Sequence, residues 1–166
     1  MTFASSLAGL LFAMVMPAQM GAVPSGGSGV LPVAWEAWEQ KDSFTDQPIL
    51  TTAEIINGRT HLSVTCNKGH FLTMVAVGSY LGSNTDLRFR YRIDDGAVVE
   101  GVGQGSTNGR TLFVSPPEEH AKRFMVGAAV FFEVTDFQGS VHRQRFTLSN
   151  AAATIAPIMK ACGITP

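Results

Sequence analysis

Leu87-Arg88-Phe89-Arg90-Tyr91-Arg92-Ile93-Asp94-Asp95-Gly96 alternates between apolar and basic side chains and then ends in two acids and a glycine. Successive side chains of a strand point to opposite faces. A period of two therefore sets Leu87, Phe89, Tyr91 and Ile93 against a core and Arg88, Arg90 and Arg92 on the other side. Phe, Tyr and Ile also fit a pleated surface well. Asp94-Asp95-Gly96 has turn chemistry, because Asp can bond nearby backbone and Gly accepts positive φ. The stretch predicts a half-buried strand, and so a sheet with one apolar face and one face carrying a row of guanidinium groups.

On either side of this strand the same period recurs in shorter runs. Trp35 to Gln40 is short and mixed, either one helical turn or an edge segment. Asp42 to Asp46 reads as a turn and Pro48 to Ile56 as a strand. Asn57-Gly58 is a two-residue hairpin signal. Its partner runs from Arg59 to Cys66, with Leu62, Val64 and Cys66 on one face and His61, Ser63 and Thr65 on the other. Asn67-Lys68-Gly69 turns the chain into His70 to Val77, which is apolar on both faces. A weak strand is expected near Ala97 to Gly101, and short strands over Thr111 to Val114, Ala129 to Phe137 and Val141 to Leu148, the last with Arg143 and Arg145 on one side. Pro116-Pro117-Glu118-Glu119 opens a short helix near 116–125, since proline suits a first turn and acids favour the positive end of the helix dipole. Ser149-Asn150 can cap a last helix from Ala151 to about Cys162, with Ile155, Ile158, Met159 and Cys162 on one stripe and Gly163 ending it. About eight short strands joined by hairpins, without a βαβ rhythm, predict a mainly β, antiparallel, sandwich- or barrel-like domain with two late helices.

Length and composition bound the rest. The chain has 166 residues, 15% of them charged and 45% hydrophobic, which fits a single folded domain. A formal net charge of −1 argues against a general nucleic-acid binder, which needs a basic excess. Leu7 to Met16 is an apolar core too short to span a bilayer. It fits the h-region of a secretory signal peptide over residues 1–22, with small residues up to Ala22 for cleavage; an uncleaved N-terminal anchor is the alternative, and membrane contact is expected only in that case. Residues 23–34 then read as a Gly/Ser-containing linker and residues 35–166 as the β-rich domain. Cys66 and Cys162 are the only cysteines. Behind a signal peptide an even count predicts one disulfide in an oxidising compartment, pinning the final helix to the sheet. Closing so long a loop is worth up to about 4–5 kcal/mol in the chain-entropy description.

Several chemistries fail on spacing. Gly101 to Thr111 is glycine-rich, but Gln104 and Arg110 stand where a phosphate loop needs other residues and no helix follows, so the run reads as a hairpin loop. His61, His70, His120 and His142 include no pair at metal-ligand spacing on one element, and His120 falls among Glu118, Glu119 and Lys122 on an expected solvated helix face. There is no G-x-S-x-G elbow, and Asp94-Asp95 before glycine reads as a turn. No catalytic, metal or cofactor site is expected. Arg88, Arg90 and Arg92, about 7 Å apart by strand geometry, remain the candidate partner or anion face. Two readings stay open: guanidiniums that hold carboxylates or phosphates, or a solvated face balanced by cross-strand acids such as Glu54, Glu100 or Glu133.

The order of short motifs resembles a family of type VI secretion-associated periplasmic proteins, VasI/TagO. The residues that carry the likeness are Leu62-Ser63-Val64-Thr65-Cys66 at a strand end, the Tyr80-Leu81-Gly82 loop, Arg92-Ile93-Asp94, Phe146-Thr147-Leu148 and Ala161-Cys162-Gly163. The tryptophan this family carries after the Arg-x-Asp strand has no counterpart here. The resemblance implies a secreted accessory module without a known catalytic site and supplies no ligand. The expected function is a periplasmic or secreted, non-enzymatic accessory or binding module of the bacterial envelope, with an envelope or secretion-system protein as partner. A small inhibitor or anionic-ligand-binding protein using the arginine face is the alternative, and an enzyme with a site assembled from distant residues is the second.

Overall fold

The computed structural model describes residues 34–166. The leader expected over residues 1–22 and the linker after it, apart from Ala34, lie outside the described residues. From Glu36 onward the chain forms β1 (Glu36–Lys41), β2 (Pro48–Asn57), β3 (Thr60–Asn67), β4 (His70–Val77), β5 (Asp86–Ile93), β6 (Val99–Gly105), β7 (Leu112–Val114), α1 (Pro117–Phe124), β8 (Ala129–Thr135), β9 (Val141–Thr147) and α2 (Ala151–Ala161). The strands make one nine-stranded sheet in the order β1-β2-β3-β4-β7-β6-β5-β8-β9, and every neighbouring pair is antiparallel. The mainly β, antiparallel domain with two late helices is therefore the fold of the described chain. Trp35 to Gln40, ambiguous in sequence, supplies the edge strand β1.

β5 behaves as its alternation demands. Leu87, Phe89 and Tyr91 are buried and Arg88, Arg90 and Arg92 are exposed. The sheet curls so that β9 returns against β2, β3 and β4, and the Trp35 indole donates to the Thr147 carbonyl at 3.0 Å. The ladders are shortest at the curl, where β7 pairs with β6 at Gln104–Phe113 and Gly105–Leu112 only. Phe89, Tyr91 and Phe132 stack on the concave side, with ring centroids 5.3–6.3 Å apart.

The glycine run that reads as a loop is largely strand. Gly101, Gly103 and Gly105 all lie in β6. A Cβ on Gly101 would sit 2.7 Å from the Phe89 ring. On Gly103 it would run into the Phe113 carbonyl oxygen, and on Gly105 into the Gly82 carbonyl oxygen. Glycine at every second position thus removes side chains from the inner face where the sheet bends most tightly. The first hairpin also differs from its sequence signal. Asn57 pairs with Thr60, so the loop is Gly58-Arg59. Only Gly58 has positive φ there, which matches a II′-type turn with glycine first.

Both helices fill the concave side. α1 lies against β4 and β7, α2 against β2 and β3, and the two touch each other. α1 begins with proline in its first turn, carries Glu118 and Glu119 there and ends in Lys122 and Arg123, as the helix dipole favours. His120 is not on a solvated face. It is 5% exposed, and its Nδ1 lies 2.7 Å from the Tyr91 hydroxyl. Nε2 lies 3.2 Å from the Ser115 carbonyl oxygen, which can only accept, so Nε2 carries the proton and Nδ1 accepts from Tyr91. Burial holds the imidazole pKa below its ordinary value and pushes the Tyr91 phenol up to about 12. α2 buries Ile155, Ile158 and Met159. Asn150 occupies its N-cap position without a side-chain cap bond, and Thr154 turns back to the Asn150 carbonyl instead. Cys162, after the last helical residue, is bonded to Cys66 on β3. That bridge joins the two elements whose apolar stripes converge, and a structural disulfide belongs to oxidising, non-cytoplasmic compartments.

Candidate functional site

The convex side of β6, β5, β8 and β9 brings together two arginine rows that are far apart in the chain. β8 lies between β5 and β9, so Arg92, Phe131 and Arg145 fall in one cross-strand row. Arg90, Glu133 and Arg143 form the next, with Glu100 of β6 opposite Arg90. Arg88 and Thr135 follow, flanked by Val102 and Val141. Strand spacing puts the β5 and β9 guanidinium rows about 10 Å apart across β8.

The middle row is internally compensated. Arg90 Nε donates to Glu133 Oε1 at 2.7 Å and Arg143 Nε to Glu133 Oε2 at 2.8 Å. The Arg90 bond, reinforced by Arg143, holds the Glu133 carboxyl below the usual range, and the same bond raises Arg90. The cross-strand-acid reading therefore holds at Glu133. Glu54 is elsewhere, on β2, accepting from the Trp38 indole at 2.8 Å.

The row beside it has no acid. The Arg92 guanidinium carbon lies 5.5 Å from the Phe131 ring centroid and that of Arg145 lies 5.4 Å from it. Phe131 is 43% exposed, and Val98, just before β6, is 56% exposed. Together with Arg90, Arg143 and Glu133, which pair with one another, these side chains line a depression of ≈ 350 Å³. A second depression beside it includes Arg88, Glu100 and Val102. Among the described residues, Arg88, Arg92 and Arg145 take part in no salt bridge. Five arginines against two glutamates, on a chain of net charge −1, make this a local cationic face with apolar inserts.

Arg88, Arg90 and Arg92 do share a face, as the sequence predicts. Their additional partners are Arg143, Arg145, Phe131 and Val98. The alternation of Arg143 and Arg145 is visible in the sequence. The β5–β8 pairing that brings them beside β5 crosses helix α1 and has no local signal. Asp94, at the end of β5, accepts from the Ala128 and Ala129 amides at 3.0 and 2.9 Å and ties the strand to the α1–β8 connection. It is a structural clamp. The Tyr80-Leu81-Gly82 loop is structural as well: Leu81 is fully buried, and its carbonyl accepts from the Phe137 amide at 3.0 Å.

Among the described residues no cluster of His, Cys, Asp and Glu could hold a metal ion, and no helix is long and apolar enough to cross a membrane. No protein-family model matches the chain. No curated protein and no solved structure matches it either.

Proposed function

We propose that this chain is a secreted, periplasmic accessory module of the bacterial envelope that acts by binding rather than by catalysis, and that it binds through the convex arginine face. The observation that carries this reading is the Arg92–Phe131–Arg145 row. Two guanidiniums without acids are held on an exposed aromatic ring beside a depression. Arginine and aromatic side chains dominate binding hot spots because they combine apolar area with directed hydrogen bonds. The disulfide supports an extracytoplasmic site of action. The motif order that resembles VasI/TagO proteins supports an envelope or secretion-system protein as partner, with type VI secretion as the setting. The alternative, an inhibitor or carrier of a small anionic ligand, would use the same face.

The test is capture from envelope extracts with the native secreted protein and with an Arg90→Ala/Arg92→Ala/Arg145→Ala variant. One stoichiometric protein partner, retained by the native chain and lost by the variant, is the expected result. The variant should melt within a few degrees of the native chain, because exposed arginines add little stability, and capture should weaken as salt rises. A partner retained equally by both proteins, or turnover of a cell-wall substrate by the native protein alone, would overturn the reading.

A further inference from the structure

The chemistry of the face specifies the kind of partner more narrowly. We propose that it binds a protein segment in which acidic side chains adjoin an apolar one, seated over the Arg92–Phe131–Arg145 row. This deepens the binding-module reading and rests on it.

Three observations point there. The row offers two unpaired guanidiniums on either side of Phe131, within 5.5 Å of its ring centroid. Each can take a carboxylate by two parallel N–H donors, and stacking on the ring already restricts each guanidinium, which reduces the freedom lost on binding. The gap between them is apolar. Phe131 fills it, and Val98, exposed on the other side of Arg92, adds to the apolar lining of the ≈ 350 Å³ depression. An extended segment with acids two positions either side of an apolar residue carries all three on one side over ~14 Å of backbone, and flexible Glu side chains leaning inward reach the arginine rows about 10 Å apart. The third observation favours sparse acids over dense polyanions. The adjacent row places the Glu133 carboxylate between Arg90 and Arg143, and Glu100 on the other side of Arg90. A phosphate-rich surface spread over the arginines would meet both carboxylates, whereas a segment with sparse acids can seat on one row alone. Val102 and Val141, 54% and 42% exposed, extend the apolar rim on the far side of those acids.

The probe is a fluorescent peptide, acetyl-Glu-Glu-Leu-Glu-Glu-amide, with its all-Gln counterpart and a Glu-Glu-Gly-Glu-Glu version as controls. Anisotropy is read with the full-length protein at low salt, and backbone amide shifts map the site. Saturable binding is expected, with shifts at Val98, Phe131 and Arg145. It should be weakened about tenfold or more by Arg92→Ala/Arg145→Ala, the loss typical of charge-assisted hydrogen bonds, and also by the glycine and all-Gln controls. Glu133→Gln should bind as well or better, because the acid next to the row is gone. Equal binding of the all-Gln peptide, equal binding by the double variant, or no binding would overturn the proposal. So would preferential binding to phosphatidylglycerol-containing vesicles that the peptide fails to displace. If envelope capture depends on the arginines while the peptide neither binds nor competes, this inference fails and the binding-module reading stands. If capture is also insensitive to the arginines, both fall.

Discussion

Replacing both cysteines, Cys66→Ala/Cys162→Ala, isolates the contribution of the bridge without leaving a lone thiol. The bridge spans a sequence separation of 96 residues. With that loop the chain-entropy relation gives about 4.7 kcal/mol at 25 °C, and measured losses for native disulfides of small secreted domains run at about 2–5 kcal/mol. The helix does not depend on the bridge alone. Ile155 and Met159 are fully buried and Ile158 is 5% exposed, each worth about 1.5–3 kcal/mol of burial. α2 should therefore stay docked in the variant. The variant should unfold in one transition, with a destabilisation of about 3–4 kcal/mol, since residual contacts in the unfolded chain reduce the full entropic value. For a domain of this size that is a fall of roughly 10–15 °C in melting temperature. Urea unfolding of the native oxidised protein and of the variant, followed by far-ultraviolet circular dichroism and tryptophan fluorescence, measures it. Coincident curves with a loss of less than about 1 kcal/mol would refute the idea that the bridge constrains the unfolded chain. Loss of helix signal well before the sheet signal would refute the claim that burial alone keeps α2 in place.

Two further perturbations probe the interior. Gly103→Ala should destabilise the domain by about 2–3 kcal/mol, because its Cβ would meet the Phe113 carbonyl, backbone that cannot swing aside; thermal unfolding checks this, and Gly139→Ala, with nothing near its Cβ but a positive φ of 86°, separates crowding from backbone strain. His120 predicts the acid limb of the stability curve. Its folded pKa lies below the ordinary 6.5, first through burial and then through Arg123, against the opposing Ser115 carbonyl and Glu119. Below pH 6.5 the unfolded chain therefore binds more protons than the folded one. Stability is complete above that pH and falls as the pH drops from 6.5 toward the folded pKa. Urea midpoints between pH 7.5 and 5 should show this slope, and His120→Gln should reduce it; His61, also depressed by burial, adds slope of the same sign.

What the sequence by itself determined is what lies within one element or one turn. Side-chain alternation is a property of consecutive residues, so β5, β3 and the arginine row could be read directly. The disulfide is the one long-range contact that could also be read, since a chain with two cysteines allows a single pairing, and Cys66 shares a face with Leu62 and Val64 and Cys162 a stripe with Ile155, Ile158 and Met159. Tertiary structure decided everything that depends on which strands meet. The glycines of β6 are strand residues because Phe89 and the Phe113 carbonyl occupy the space their side chains would need. His120 sits among acids and a lysine in the chain, yet it is buried because the curl of the sheet brings Tyr91 to its Nδ1. The candidate site is the clearest case. Arg92 and Arg145 reach the two sides of Phe131 only because β8, after a helix, pairs with β5. That pairing is chosen by how the whole core packs, and a local periodicity carries no information about it.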